Sequence, residues 1–132
     1  MNLTELLDAS AQRFPDKAAV IDGDAVITYS ALVAQTHELA PQPRAAGIHA
    51  GQRIGISFPN SAAYIAATFA VWRLNAIAVP VPLESSPEER DRIIVSLKLN
   101  GVLGQKGFEK LSTELPNNHG LNLAFIRFTS GT

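Results

Sequence analysis

The second half of the sequence alternates short apolar runs with stretches that favour helices, and this alternation restricts the fold more than any other feature. RIGISF (53–58) and AIAVPVP (76–82) are strand candidates, and NLAFIRF (122–128) is a nearly continuous apolar run, which is typical of a strand buried on both faces of a sheet. Between them lie an alanine-rich stretch (62–74) and SPEERDRIIVSLKLN (86–100). The sequence therefore predicts βαβ units, and with them an α/β fold whose mostly parallel sheet is flanked by helices.

The first forty residues predict a helix, a β-hairpin and a second helix. Asn2 and Glu5 have the spacing of a capping box, and Pro15 ends the helix that they begin. AAVID and AVITY are β-prone runs joined by a Gly-Asp pair, which favours a hairpin near the N-terminus. The second helix is expected over 30–40. The residues predicted to face the core from the two helices are Leu3, Leu6, Leu7, Ala11, Phe14, Leu32, Val33, Thr36 and Leu39.

Prolines and capping residues set the expected ends of the next elements. Pro41 and Pro43 remove backbone donors, so the second helix should end near residue 40 and PQPRAAGIHAGQ (41–52) should be an irregular connection. Asn60 or Ser61 is expected to cap the alanine-rich helix, with a binding role as the alternative.

The strongest helix start in the chain is the sequence SPEE. Ser86 serves as the N-cap, Pro87 takes the first helical position and Glu89 completes a capping box. VLG (102–104) and the run that begins at residue 121 are the remaining strand candidates. The 132 residues contain no internal repeat and have the length of one domain.

Charge and composition exclude several classes of function. With 11 basic and 12 acidic residues, a net charge of -1 and no run of either sign, the chain lacks the basic surface that nucleic-acid binding requires. The absence of cysteine rules out disulfides, zinc knuckles and thiol nucleophiles, and it fits a cytoplasmic protein. The N-terminus does not resemble a signal peptide, and the longest apolar run, 62–72, falls well short of the roughly 20 residues of a transmembrane segment.

Most other polar and aromatic candidates favour structural roles, and no catalytic residue is assigned. His37, His49 and His119 share no metal-ligand spacing and are expected on the surface. Phe69 and Trp72 are expected in the core rather than against a ligand. An acidic group is expected to cap the SPEE helix and offset its dipole rather than to act in acid–base catalysis. It comprises Glu84, Glu88, Glu89 and Asp91.

The chain closes on hydroxyl-bearing residues directly after an apolar run: Thr129, Ser130, Gly131 and Thr132. Ligands of parallel sheets gather beyond the carboxyl ends of the strands. Backbone N–H groups, hydroxyls and a glycine that allows close approach can surround an anion. These four residues alone are compatible with a plain turn or with a phosphate site.

Taken together, these stretches resemble the opening of the acyl-adenylate-forming ligase family, the AMP-binding enzymes. LLDASAQRFPDKAAVIDGDAVITYSAL is similar to the opening helix and hairpin of that family and to its second helix start. AGIHAGQRIGISFPNSAAYIAATFAVWRLNAIAVPVPLESSPEERDRII resembles the block that follows. FTSGT resembles the first half of the phosphate-binding signature, FTSGTTGxPKG. The resemblance runs through almost the whole chain.

This resemblance implies a reaction and a site. Family members activate a carboxylic acid with ATP and Mg2+, form an acyl-adenylate and release pyrophosphate, and many then transfer the acyl group to coenzyme A. It implies that Thr129, Ser130, Gly131 and Thr132 contact the phosphates of ATP. The expected branch is that of acyl-CoA synthetases for fatty or aryl acids, and an amino-acid adenylation domain is the alternative.

The resemblance also implies that residues 1–132 are the N-terminal portion of the family's large domain. The second half of the signature and the C-terminal domain are absent from this sequence, so the chain is expected to be inactive by itself. It departs from the family at Pro41 and Pro43, and at Leu74-Asn75-Ala76 where AGA is usual.

The other hypothesis is a stand-alone, non-catalytic α/β module that binds a nucleotide or a protein. The two hypotheses differ in what they predict for strand 121–128. In a stand-alone module the strand would be central in the sheet, whereas in a fragment one of its faces or edges would be exposed.

Overall fold

The computed structural model describes residues 2–59 and 62–119, together with residues 124 and 126. Within these ranges the helices and strands follow the order that the sequence predicts, with two additions. The elements are α1 (Leu3–Arg13), β1 (Ala18–Asp22), β2 (Ala25–Thr28), α2 (Tyr29–Leu39), α3 (Pro41–Ala45), β3 (Arg53–Ser57), α4 (Ala62–Arg73), β4 (Ile77–Pro80), α5 (Pro87–Ser96), β5 (Gly101–Gly104) and β6 (Gly107–Lys110).

The main sheet has the strand order β4-β3-β5-β6. β3 runs parallel to both β4 and β5, which confirms the predicted α/β fold with its βαβ units. β6 pairs antiparallel with β5 and is the first addition, because the polar sequence GFEK gives no apolar run to detect. The tight turn between them depends on Gly107, whose φ of 116° is a conformation that glycine adopts readily.

A further segment lies beside β4, at the sheet edge opposite β6. The N–H of Ala78 donates to the Ala124 carbonyl over 2.9 Å, and the Ala78 carbonyl accepts from the Ile126 N–H over 3.0 Å. In a parallel pair of strands, one residue bonds to two residues of the neighbouring strand that are two positions apart. The segment of Ala124 and Ile126 therefore runs parallel to β4. The rest of the predicted strand 121–128 lies outside the described residues.

Helices cover both faces of the sheet. Alternate strand residues point to opposite faces, so Ile56 packs with Val71 of α4 on one side. Val79 packs with Ile93 of α5 on the other side. β3, β4 and β5 are therefore buried on both faces, whereas β6 is partly exposed.

The hairpin of β1 and β2 packs with α1, α2 and α4 in a separate cluster. The predicted capping box of α1 is present, since the Asn2 side chain accepts from the Glu5 N–H over 2.8 Å and the Glu5 carboxylate accepts from the Asn2 N–H over 3.3 Å. The predicted apolar face of α1 is only partly correct, because α1 meets its neighbours along a narrow stripe that contains Leu7. About half of the surface remains exposed at Leu3, Leu6 and Phe14.

α3 is the second addition, and it corrects the expectation of an irregular connection after residue 40. Proline is disfavoured inside a helix but tolerated in its first turn, where the missing N–H has no intrahelical partner. Pro41 occupies that turn. On the same helix, the Gln42 side-chain oxygen accepts from the Phe108 N–H over 3.0 Å, so α3 covers the outer edge of β6.

Arg73 links three helices. Its guanidinium donates to the two carboxylate oxygens of Asp8 over 2.6 and 2.9 Å and to the Thr36 hydroxyl over 2.7 Å. The hydrogen bonds from Arg73 hold the pKa of Asp8 below its ordinary value, with burial acting against them. Arg73 thus joins α4 to α1 and α2, although in the sequence it only interrupts an apolar run.

Candidate functional site

The carboxyl ends of β3 and β4 open into a concavity of about 330 Å³, called the crevice below. In open α/β sheets this is the end at which ligands bind, and the volume falls in the range of small-molecule sites. Its lining comes from the segments that follow the two strands and from the start of α4. These residues are Phe58, Pro59, Tyr64, Pro80, Val81, Pro82, Leu83 and Glu84.

Prolines end the hydrogen-bond ladder at the floor of the crevice. The Val81 N–H still donates to the Ile56 carbonyl over 2.9 Å. Pro80 and Pro82 on either side of Val81, like Pro59 after β3, have no N–H with which to extend the ladder. The strand ends therefore present apolar ring surfaces to the concavity.

Among the described residues, two polar side chains line the crevice. Tyr64 is half-buried, burial raises the pKa of its hydroxyl, and the hydroxyl can donate a hydrogen bond. Glu84 is exposed. A mostly apolar lining with a few polar groups is typical of sites that bind small molecules.

A second concavity of about 360 Å³ shares Leu83 with the crevice and extends along the ends of β3 and β5. It contains the cationic side chains of Arg90 and Lys106. Arg90 donates to the Glu109 carboxylate over 3.1 Å in a solvent-exposed pair, so part of its charge is already matched. The carboxyl end of the sheet thus has two adjoining concavities.

The residues predicted to hold phosphate lie outside the described residues, as do both candidate caps of α4. They are Thr129, Ser130, Gly131 and Thr132, and Asn60 and Ser61. Ile126, three positions before Thr129, lies beside Ala78 and packs against the cluster of Val79 and Ile93. Because the local bonding is parallel, this chain runs toward the carboxyl ends of the strands, where the crevice lies.

The remaining candidates lie on the surface or at a helix start. His37, His49 and His119 are exposed, and no group of three or more potential metal ligands occurs in the described part of the chain. The Ser86 hydroxyl accepts from the Glu89 N–H over 3.1 Å, so the acidic group lies at a capped helix start. In the same described ranges, no helix is long and apolar enough to cross a membrane.

Phe69 is partly buried against the cluster of the hairpin and helices, and Trp72 is partly buried, so the predicted core position is only partly correct. Their rings meet edge to face with centroids 5.1 Å apart. The indole N–H of Trp72 also donates to the Ala124 carbonyl over 2.8 Å. Trp72 therefore helps to hold the segment that runs beside β4, a role that a lone tryptophan in a sequence does not reveal.

Sequence reasoning missed a group of polar side chains at the opposite, amino end of the sheet. Gln52 and Asn100 are almost completely buried, at 2% and 0% exposure, and both bond to the backbone of residues 112–114. Polar residues before a strand are common, and only their burial marks these two as special.

Comparison with known proteins places this geometry in a family. The sequence profile described as AMP-binding enzyme matches residues 7–119. A plipastatin synthase polypeptide of Bacillus subtilis (strain 168) is 30% identical over 151 residues, an alignment that covers 98% of this chain and 4% of that protein. The chain therefore spans only a small part of this relative.

Two solved structures share the fold. The nonribosomal peptide synthetase FmoA3 (S1046A) in its AMPPNP-bound form superposes with a TM-score of 0.72 at 22% identity, over 95% of this chain and 13% of that chain. The N-terminal subdomain of Klebsiella oxytoca NpsA, in complex with 3-hydroxyanthranilyl-AMSN, gives a TM-score of 0.69 at 24% identity, over 77% of this chain and 26% of that chain. These comparisons do not support the expected acyl-CoA synthetase branch or coenzyme A as a co-substrate.

Proposed function

The chain belongs to the AMP-binding enzyme family, and from that premise we propose that it forms the N-terminal portion of the large domain of an amino-acid-adenylating enzyme. In the proposed reaction a carboxylate oxygen of the acid attacks the α-phosphorus of ATP. The bond from that phosphorus to the bridging oxygen breaks, and pyrophosphate leaves with the electron pair. The product is an acyl-adenylate.

The class of acid is inferred from the relatives. FmoA3 is a nonribosomal peptide synthetase, and the plipastatin synthase polypeptide aligns with nearly the whole chain. These likenesses favour amino-acid adenylation, the alternative from the sequence, over the activation of fatty or aryl acids for transfer to coenzyme A. The other partners of the proposed enzyme are ATP and the acid, with no nucleic acid.

The observation that carries the proposal is the position of Ile126. This residue lies beside Ala78 in a parallel arrangement, so the direction from Ala124 to Ile126 points to the end of the sheet that holds the crevice. We assign the phosphate contacts to the four residues that follow shortly after: Thr129, Ser130, Gly131 and Thr132. Hydroxyls and backbone N–H groups there would stabilise the charge that builds on the departing pyrophosphate.

The crevice residues have a supporting role in this proposal. The protonated Tyr64 hydroxyl offers a hydrogen-bond donor from an apolar wall, and the proline-lined surface excludes water from one side of the bound substrates. Mg2+ is expected to arrive with ATP. The described residues contain no cluster of ligands for it, and no step is assigned to the metal.

Pyrophosphate–ATP exchange tests the proposal. The assay uses the product of the reading frame that contains this chain and a panel of amino acids, fatty acids and aryl acids. We expect exchange with one or a few amino acids, and a loss of at least about tenfold in kcat/KM when Ser130→Ala removes a phosphate-contacting hydroxyl. Ser96→Ala, an exposed serine at the end of α5, is the matched control. Exchange with fatty acids alone would restore the acyl-CoA synthetase hypothesis.

The 132-residue chain by itself gives a second test. We expect no acyl-adenylate and weak or no binding of Mg-ATP by calorimetry. Tight Mg-dependent binding of ATP without pyrophosphate release would favour the stand-alone module instead.

A further inference from the structure

Residues 111–119, called the strap below, cross the amino end of the sheet without forming a helix or strand. The strap begins after β6 at one edge, where the Leu111 N–H donates to the Asn100 carbonyl over 2.9 Å. It ends near the other edge, where the Asn118 side chain donates to the Gly51 carbonyl over 3.0 Å. Gly51 is itself bonded to Asn75, just before β4. The strap thus carries the chain from β6 to the side of β4.

Buried side chains from the strand starts hold the strap in this path. The Asn100 amide donates to the carbonyls of Ser112 and Glu114 over 3.2 and 2.5 Å. The Gln52 amide donates to the carbonyls of Thr113 and Glu114, both over 3.1 Å. These bonds satisfy three consecutive backbone carbonyls and give partners to side-chain amides that would otherwise be costly to bury.

Both side chains are themselves fixed by backbone groups on the sheet side. The Asn100 side-chain oxygen accepts from the Arg53 N–H over 2.8 Å, and the Gln52 side-chain oxygen accepts from the His49 N–H over 2.7 Å. Each amide group therefore acts as a rigid two-sided link between the sheet and the strap. Replacing the asparagine by aspartate, or the glutamine by glutamate, keeps the shape of the side chain and its accepting oxygen but removes the N–H groups that donate to the strap.

We propose that Asn100 and Gln52 are positioning residues that set the register of the chain beside β4, and through it the place of the hydroxyl-rich residues 129–132. The consequence for those four residues rests on the proposed function. The register itself is observable at Ala78 and Ile126, whose backbone bond follows the strap in the chain. A strap that slips by one residue would exchange the two faces of that segment.

Amide hydrogen exchange on the 132-residue chain tests the positioning role. We expect Asn100→Asp and Gln52→Glu each to speed exchange at Ala78 and Ile126 by about tenfold or more beyond any change at Val71 in α4, which reports the general stability of the fold. Gln12→Glu makes the same amide-to-carboxylate change on the exposed face of α1 and serves as the control. Unchanged exchange at Ala78 and Ile126 would overturn the proposal. Equal loss of protection at Val71 in both variants would also overturn it, because the role would then be general stability.

A kinetic readout separates this proposal from the proposed function. In the product of the full reading frame, we expect Asn100→Asp to raise KM for ATP more than it lowers kcat. An unchanged KM for ATP despite faster exchange at Ile126 would refute the link to residues 129–132. Complete lack of adenylation by the parent protein would refute the proposed function, while the exchange experiment would still decide whether the strap is positioned by these two residues.

Discussion

The two ends of the main sheet are built from different chemistry. At the amino end, buried amides bond to the strap, with Asn100 completely enclosed. At the carboxyl end, prolines stop the ladder beside the concavity of about 330 Å³, and a concavity of about 360 Å³ lies next to it. The buried amides at one end bond to groups inside the protein, whereas the other end leaves space and surface for a ligand. The contrast indicates that stability and binding are divided between opposite ends of the same strands.

The largest predicted effect comes from removing the Asn100 side chain. Asn100→Ala leaves the Arg53 N–H and the Ser112 carbonyl without their partner and leaves the Glu114 carbonyl with Gln52 alone, and we expect a loss of about 3 kcal/mol in the free energy of unfolding. Urea denaturation measures it, with Gln12→Ala as the exposed control. A loss no larger than that of the control would show that the amino end does not carry the stability assigned to it.

Glycines at the two ends of β5 sharpen the comparison. A Cβ at Gly101 would meet the Phe108 ring and lie 2.8 Å from the Glu109 carbonyl oxygen, whereas at Gly104 the nearest atom is the Ser57 carbonyl oxygen at 3.2 Å. We expect Gly101→Ala to cost about 2 to 3 kcal/mol and Gly104→Ala about 1 kcal/mol or less. Thermal or urea unfolding of the pair provides the measurement. The reverse order would mean that the carboxyl end is packed more tightly than the amino end.

A smaller effect is expected from the link between Asp8 and Arg73, which belongs to neither end. The pKa of Asp8 in the folded protein lies below its ordinary value of 3.8. The ionised carboxylate therefore stabilises the fold at pH values above this ordinary pKa, and the stabilisation is lost as the pH falls through the folded pKa. Because the Asp8 side chain is 42% exposed, we expect Asp8→Asn to cost only about 1 kcal/mol at pH 7.

Urea denaturation at pH 7 and pH 3 checks the sign of this dependence. The difference in the free energy of unfolding between the parent and Asp8→Asn should be smaller at pH 3 than at pH 7. The exposed control Asp16→Asn should differ little from the parent at either pH. A difference that grows at pH 3 would contradict the direction of the pKa shift.

The smallest effect on stability is expected at the crevice. Glu84 is exposed, and Glu84→Gln should change the free energy of unfolding by less than about 0.5 kcal/mol. Its effect on KM for ATP or the acid should exceed that of Glu114→Gln, an exposed glutamate on the strap. Equal effects from the two substitutions would remove the functional distinction between the ends of the sheet.

The sequence predicts much of the carboxyl end and little of the amino end. Apolar runs such as 53–58 show the buried strands, and Pro59, Pro80 and Pro82 show where the strands stop. The strap has no periodicity, and its path depends on donors from residues more than ten positions away along the chain. α3 and β6 escape prediction for a related reason, since each is stabilised by the other through Gln42 and Phe108.

The candidate site was predictable only in part. The resemblance to the AMP-binding enzymes rests on local motifs and assigns the phosphate contacts to residues 129–132, an assignment that stays a prediction. The crevice, in contrast, depends on how the ends of β3 and β4 meet α4 at Tyr64. Such a meeting of distant segments is a property of the packed fold, and a single sequence does not contain a pattern for it.

Hydrogen exchange by mass spectrometry, with and without Mg-ATP and the preferred acid, tests the division between the two ends most directly. The experiment uses the product of the reading frame that contains this chain. We predict that ligands slow exchange in peptides covering 58–64 and 80–84, at the crevice, and leave the strap at 111–119 unchanged. Protection that appears at the strap while the crevice peptides stay unchanged would contradict the assignment of binding to the carboxyl end of the sheet.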